Sequence, residues 1–199
     1  MGHNWKQKRP GSLGQLLALG LAMSFALTAT AGVKDDVAYA GIAVTQLEIK
    51  NVQKGNASDT KSNAGTLNFG TYITDYFKAE FRMGFGGQEK EIAPGLSASI
   101  DQYYSGYFGA EYPVTDYMAL YGMFGFTHLV ATANKVNPSA YPVIPGDLVE
   151  SSFSPSFLLG GSVRIYKKFH FFMDYGRLHA DSLTAIDTKD LNFGVRYEY

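Results

Sequence analysis

The chain contains no cysteine and only one tryptophan among its 199 residues. The absence of thiols excludes a disulfide framework, a thiolate metal site and a cysteine-linked lipid anchor. The formal net charge of −1 argues against a nucleic-acid partner. Beyond residue 31 no apolar run is long enough for a membrane-spanning helix. The chain is instead rich in aromatic residues and glycine, with 14 Tyr, 14 Phe and 22 Gly.

Residues 1–31 have the pattern of a secretory signal peptide. A basic start precedes an apolar stretch over residues 13–27, and Ala29-Thr30-Ala31 supplies a small-residue cleavage site. We therefore expect residues 1–31 to be removed. Residues 32–199 would remain as one domain, since their number suffices for one domain and hardly for two.

Apolar and polar residues alternate through the expected mature chain, which predicts β-strands with one apolar face. In the final nine residues the apolar positions include Phe193, Val195, Tyr197 and Tyr199. The first strand has the weakest pattern, and there we place Gly41 and Thr45 on the inner face. Eight strand-like runs lie near residues 37–49, 64–73, 76–87, 98–112, 117–131, 153–166, 169–178 and 188–199.

The connections between these runs alternate in length. Three are tight and flanked by aromatic residues, at residues 74–75, 114–116 and 167–168. Four are longer and polar, and we name them loops 1 to 4: residues 50–63, 88–97, 132–152 and 179–187. Short turns at one end and long loops at the other are typical of outer-membrane barrels. A soluble up-and-down barrel such as a lipocalin would show similar periodicity, but the aromatic residues at the turns favour the membrane.

The fold prediction is therefore all-β, a closed eight-stranded antiparallel up-and-down transmembrane β-barrel. With its segments 120–125 (LYGMFG) and 192–199 (NFGVRYEY), the chain resembles the family of outer membrane protein A and outer membrane protein X barrels. The resemblance implies a monomer in a Gram-negative outer membrane, surrounded by lipid and lipopolysaccharide. It also implies delivery by periplasmic chaperones and insertion by the barrel-assembly machinery, with Phe193, Val195, Tyr197 and Tyr199 as the assembly signal.

Extending the alternation gives a set of charged residues that face the barrel interior. Four are basic and four acidic, which predicts a neutral lumen: Lys78, Glu80, Arg82, Glu111, Arg164, Asp174, Arg196 and Glu198. Side chains fill the interior of an eight-stranded barrel, so charges there must be paired. A structural ion-pair network that closes the lumen is favoured over a gated ion path. Six glycines on the same face would relieve crowding: Gly70, Gly84, Gly109, Gly125, Gly160 and Gly194.

Enzymatic function has one candidate cluster. Some eight-stranded barrels modify lipid A, and His179 and Ser182 lie near the loop end of the last two strands. An ordinary polar loop is the favoured interpretation. The four histidines have no metal-ligand spacing, so we expect neither a metal site nor a cofactor.

The predicted function is non-enzymatic, in envelope integrity or in surface contact and adhesion through loops 1 and 3. Loop 3 carries three prolines among apolar residues, which could pack on the barrel rim or present a binding surface. Rim packing is favoured. A lipid A-modifying enzyme and a narrow solute pore are the alternatives.

Overall fold

A computed structural model of the chain describes residues 37–51, 60–87, 89–93, 96–135, 148–181 and 186–199. The proposed signal peptide, Ser182 and the central parts of loops 1 and 3 lie outside these ranges. Its strands are β1 (Ala38–Asn51), β2 (Thr60–Tyr72), β3 (Phe77–Phe85), β4 (Lys90–Ala93), β5 (Leu96–Pro113), β6 (Met118–Lys135), β7 (Leu148–Tyr166), β8 (Phe169–Asp181) and β9 (Ile186–Glu198). No helix within the described ranges is long and apolar enough to cross a membrane.

The sheet closes into a barrel of eight antiparallel strands, as the sequence predicts. Around the ring the order is β3, β2, β1, β9, β8, β7, β6 and β5, and pairing of β3 with β5 completes it. The four-residue β4 pairs with β5 beyond the end of β3, so it prolongs β3 rather than adding a ninth position. Because the ring is closed, every long strand is paired on both edges. A strand surrounded by hydrocarbon needs this pairing, since lipid chains offer no hydrogen-bond partner to the backbone.

Gly86 marks the break between β3 and β4. Its backbone φ is +86°, a left-handed value that glycine adopts at little cost. The amides of Gly86 and Gly87 still donate to the carbonyls of Asp101 and Ile100, at 3.2 and 2.9 Å. The bend therefore keeps its hydrogen bonds to β5, and β4 can resume pairing with the same strand.

The three tight connections lie together at one end of the barrel. In two of them a threonine accepts backbone hydrogen bonds: Thr74 from the amides of Tyr76 and Phe77, and Thr115 from those of Tyr117 and Met118. Such local side-chain bonds stabilise turns in place of further sheet pairing. The third connection, Lys167-Lys168, joins β7 to β8 directly.

The strands extend further into the loops than the alternation predicts. β6 continues to Lys135, and β7 begins at Leu148, five residues before the predicted start at residue 153. These extensions pair with each other, as in Ala133 with Leu148. A strand that has left the membrane can be paired without an apolar face, so the alternation stops before the pairing does.

Burial follows the period of two. In β3, Lys78, Glu80, Arg82 and Gly84 are buried, the residues between them are half-buried, and Phe77 and Phe85 at the two ends are exposed. Most of the large exposed apolar residues are on the opposite, outward face, including Phe124 and Leu159, which are 64% and 66% exposed. An exposed apolar surface of this extent is suited to lipid.

The terminal strand β9 presents its aromatic residues to the outside. Phe193, Val195, Tyr197 and Tyr199 are all exposed, and the amide of Tyr199 donates to the carbonyl of Ala38 at 2.9 Å. The last residue is thus held to the first strand at the short-turn end. That the assembly machinery binds this face stays a prediction.

Glycines on the inner face make room for aromatic rings. A Cβ added to Gly70 would overlap the ring of Tyr39, and one added to Gly84 would overlap the ring of Tyr103. Tyr39 and Tyr103 are fully buried. Tyr39 is also fixed in place, because its hydroxyl donates to Glu80 at 2.5 Å and its ring packs against that of Tyr72.

We expect Gly70→Ala to lower the free energy of unfolding by roughly 1–3 kcal/mol, because the new methyl group must displace the Tyr39 ring. Urea unfolding of the barrel in detergent micelles or vesicles measures this. Gly65→Ala is the matched control on β2, since a Cβ there meets nothing within 4 Å. Equal effects of the two substitutions would contradict the packing of Tyr39 over Gly70.

Candidate functional site

The interior of the barrel contains most of its buried polar and charged side chains. Six of the eight predicted lumen charges are at most 5% exposed: Lys78, Glu80, Arg82, Glu111, Asp174 and Arg196. They come from four strands, β3, β5, β8 and β9. The alternation of each strand directs these side chains into the lumen. Glu198 is partly buried near the short-turn end, with its side chain 14% exposed.

The charges nearest the turns form one group, which we call the turn-side network. Glu111 is its centre. One of its carboxylate oxygens lies 2.7 Å from Lys78 Nζ and 3.2 Å from Arg196 Nη2, and the other accepts a hydrogen bond from the Tyr72 hydroxyl at 2.7 Å. Arg196 also contacts Glu198 at 3.2 Å. Each of these buried charges therefore has a partner of opposite sign.

A second group, the central network, lies deeper in the lumen and is centred on Arg82. The Arg82 guanidinium forms a two-point contact with the Asp174 carboxylate, at 2.9 and 2.8 Å, and its Nε lies 2.5 Å from Glu80. Tyr121 and Asn192 donate to the same Asp174 carboxylate at 2.8 and 2.7 Å. Two-point Arg–carboxylate contacts are among the strongest charged hydrogen bonds in proteins.

Tyrosine rings connect the two networks. Lys78 Nζ lies 3.8 Å from the centre of the Tyr121 ring, and the guanidinium carbon of Arg196 lies 4.9 Å from the centre of the Tyr39 ring. The hydroxyls of the same two tyrosines donate to Asp174 and Glu80 of the central network. Both cations are buried, and the rings form part of their surroundings. Such cation–π contacts strengthen as the site is desolvated.

Towards the loops, hydroxyl groups and apolar side chains make up a larger share of the buried residues. Thr45 and Asn192 share a hydrogen bond of 2.5 Å, and the Thr66 and Tyr103 hydroxyls share one of 2.6 Å. Beyond them lies an apolar layer inside the lumen: Leu47, Ala64, Ile100, Tyr103, Leu129 and Leu178. Leu47 and Leu178 are completely buried. Leu47 pairs with Ser62 of β2 and Asp190 of β9, which are also buried, so polar side chains share this level of the lumen with the apolar layer.

The sequence analysis overlooked this apolar layer, although one signal was available. Leu178 is four residues from Asp174 on β8, and Leu129 is two residues from the buried Thr127 on β6, so both continue the inward alternation. The sequence analysis assigned charged residues, glycines and Thr45 to the lumen, because large apolar side chains were expected on the lipid side. An inner position needs a side chain of the right volume, and its polarity is decided by its neighbours.

The prediction that Arg164 contributes a lumen charge is wrong. Its side chain is exposed, because Arg164 lies at the last inward position of β7, where the barrel opens to water beside the 167–168 turn. It lines a cleft of about 320 Å³ at this mouth, together with Glu111 and His170. His170 Nε2 lies 3.2 Å from Glu198.

Asp190 is a buried charge that the sequence analysis did not assign. It is 2% exposed, and one carboxylate oxygen accepts a hydrogen bond from Asn192 at 2.7 Å. The described residues offer it no ion-pair partner. With Asp190 added, and with Arg164 and the partly buried Glu198 left out, the fully buried lumen positions within these ranges carry three basic and four acidic residues, rather than four of each.

The candidate catalytic histidine, His179, lies at an inward position of β8. His179 is 3% exposed and faces the lumen, because a bulge between Arg177 and His179 shifts the alternation of β8. An enzyme that modifies lipid A needs its reactive groups to be accessible from the lipid, and the inward position of His179 does not provide this access. Its proposed partner Ser182 lies outside the described residues. Within those ranges no three His, Cys, Asp or Glu side chains are grouped to hold a metal ion.

A family model described as "Outer membrane protein beta-barrel domain" matches residues 17–198 of the chain. Among curated proteins no sequence matches. The attachment invasion locus protein Ail of Yersinia pestis has a similar structure, with 14% identity, a TM-score of 0.59 and coverage of 83% of this chain and 99% of Ail. Ail in complex with the heparin analogue sucrose octasulfate gives 16% identity, a TM-score of 0.58 and coverage of 82% and 98%. Neisserial surface protein A gives 14% identity, a TM-score of 0.56 and coverage of 81% and 97%.

We expect Arg82→Ala to lower the free energy of unfolding by about 3–5 kcal/mol, because it leaves Glu80 and Asp174 buried without their cation. Unfolding in urea, followed by circular dichroism, measures the change. Phe81→Leu on the adjacent outward position should cost far less, since one apolar group replaces another against lipid. A silent Arg82→Ala would show that the network is hydrated rather than packed.

The filled lumen should conduct ions poorly. In planar lipid bilayers we expect the parent protein to give small and unsteady currents, because the two charge networks and the buried leucines of the apolar layer fill the described lumen. Replacing Leu47 and Leu178 together with Ala should raise the conductance by removing the two fully buried leucines of that layer. A large, steady pore from the parent would contradict a sealed lumen.

Proposed function

The chain belongs to the outer membrane protein beta-barrel domain family and resides in the outer membrane, and from this premise we propose that it is a non-enzymatic protein of surface contact. The barrel would hold its extracellular loops at the cell surface, and loops 1 and 3 would make the contacts. A contribution to envelope integrity is the second part of this proposal, since a rigid, sealed barrel adds no leak to the membrane.

The observation that carries the proposal is the filling of the lumen. Two paired charge networks and the apolar layer occupy the described interior, which weighs against passage of a solute. The chemistry that the barrel presents to its surroundings is therefore on its outer face and in its loops. Because the outer face is suited to lipid, the loops are the part able to bind a partner.

A lipid A-modifying enzyme is the less favoured candidate. Its reactive groups would have to meet acyl chains or sugars at the outer leaflet. His179 faces the lumen instead, at 3% exposure. His128 is on the outward face, half-buried and directly across from Phe153. Its cross-strand neighbours in the described sheet are Tyr104 and Phe153, and neither is a serine, threonine or cysteine that a histidine would activate for acyl transfer.

Loop 1 has the charge that suits an anionic partner. Its sequence carries Lys50, Lys54 and Lys61 against Asp59 as its one acidic residue. Ail, whose name refers to attachment, has been crystallised with a heparin analogue. A sulfated polysaccharide is therefore a chemically reasonable first probe for loop 1 of this chain, because clustered lysines attract sulfate groups.

Assembly partners follow from the same family. We infer that periplasmic chaperones deliver the chain and that the barrel-assembly machinery binds the final strand, with Phe193, Val195, Tyr197 and Tyr199 on its outward face. The folded protein would be a monomer surrounded by phospholipid and lipopolysaccharide. The uninterrupted outward apolar face supports contact with lipid rather than with another subunit.

We expect cells that display the parent protein to be retained on immobilised heparin, and the triple variant K50Q/K54Q/K61Q to lose most of this retention. The measurement is the fraction of cells bound at moderate ionic strength. The double variant K90Q/K189Q removes two lysines at the loop end of the barrel, one in β4 and one in β9, both outside loops 1 and 3, and should bind as the parent does. Loss in both variants would indicate non-specific charge attraction, and no retention of the parent would reject heparin-like partners.

Lipid A mass spectra separate the enzymatic alternative. Spectra from cells with and without the protein should be the same if it is non-enzymatic. A change in acyl chains that is lost in both Ser182→Ala and His179→Ala would overturn the proposal in favour of an enzyme.

A further inference from the structure

The β7–β8 hairpin carries an unusual arrangement at its short-turn end. A bulge between Arg164 and Tyr166 shifts the alternation of β7, so that Tyr166 pairs with Phe169 and is 62% exposed. Phe169 in turn pairs with Tyr197 of β9, and their ring centres are 5.0 Å apart. The bulge thus completes a row of three exposed aromatic side chains on adjacent strands, Tyr166, Phe169 and Tyr197.

Two lysines lie directly beside this row. Lys167 Nζ is 5.2 Å from the centre of the Tyr166 ring, and Lys168 Nζ is 5.9 Å from the centre of the Tyr197 ring. Both side chains are exposed. Neither forms an ion pair with any residue in the described ranges, whereas Lys78, Arg82 and Arg196 in the lumen are all paired.

The backbone of Lys167 has a conformation that lysine adopts at a cost. Its φ of +46° is left-handed, and it is the one residue other than glycine with a positive φ in the part of the chain that the structure describes. Glycine or asparagine adopts this conformation at lower cost. A lysine at this position is disfavoured by the backbone, which points to a requirement for its charge.

The charge is confined to one side of the short-turn end. The other two tight turns carry an acidic residue each, Asp75 and Asp116. The pair of lysines on the third turn therefore gives the rim one basic side, next to aromatic rings. In membrane barrels, rings of this kind lie at the level of the lipid headgroups.

We propose that the β7–β8 turn is a binding site for the headgroup of an anionic phospholipid in the periplasmic leaflet. The ammonium groups of Lys167 and Lys168 would contact the phosphate, and the rings of Tyr166, Phe169 and Tyr197 would lie against the upper acyl chains. An anionic headgroup such as phosphatidylglycerol suits the site better than phosphatidylcholine, whose own ammonium already compensates its phosphate. This site is independent of the function proposed for the loops.

The test compares the unfolding midpoint of the barrel in phosphatidylcholine vesicles with and without phosphatidylglycerol. We expect phosphatidylglycerol to raise the midpoint of the parent, and K167G/K168Q to lose most of that rise. Lys167→Gly alone should leave the midpoint in pure phosphatidylcholine unchanged or higher, because glycine tolerates the positive φ. That result separates loss of lipid binding from misfolding.

The matched control is K61Q/K189Q, which removes two cations from the outward face near the opposite, loop end. It should keep the full rise in midpoint with phosphatidylglycerol. Inorganic phosphate added to phosphatidylcholine vesicles should not reproduce the rise, because free phosphate has no acyl chains to contact the three aromatic rings. The proposal is overturned if the parent shows no rise, if K167G/K168Q retains it, if the control loses it equally, or if free phosphate reproduces it.

Discussion

The structure depends on one constraint: hydrocarbon offers no hydrogen-bond partner to a peptide backbone. Every strand in the membrane must therefore be paired on both edges, and a ring of strands is the arrangement that achieves this. Pairing of β3 with β5 closes the ring, and β4 prolongs β3 beyond Gly86 without opening an edge. Once the ring is closed, the period of two divides all side chains into those that face lipid and those that face the lumen.

The narrow interior imposes a second constraint, on the size and charge of the side chains that face it. Eight strands leave space only for side chains, so a large ring on one strand needs a glycine on the next, as Tyr39 needs Gly70. An unpaired charge is costly in this space, and Arg82 meets both Glu80 on its own strand and Asp174 from across the barrel. The same packing that stabilises the barrel closes it to solutes, which is why we place its function at the surface.

The ends of the barrel are less constrained, and irregular features occur there. Bulges shift the alternation near the loop end of β8 and near the turn end of β7. They direct His179 into the lumen and Tyr166 towards lipid, against the simple alternation. Bulges commonly re-aim side chains at the rims of barrels. The similarity in fold to Ail at 14% identity agrees with a layout that many sequences satisfy, provided that the alternation is kept.

The sequence by itself determined the fold class, the number of membrane-crossing strands and the face of most strand residues, because alternation is a local property. It placed Lys78, Glu80 and Arg82 correctly in the lumen for that reason. Only the tertiary structure decided which charges meet, since Arg82 and Asp174 are 92 residues apart and their contact depends on the closure and register of the ring. It also decided that Arg164 is outside the packed interior and that Leu47 and Leu178 are within it. The depth of a side chain along the barrel and the position of a bulge depend on how neighbouring strands pair. The sequence of one strand alone does not contain that information.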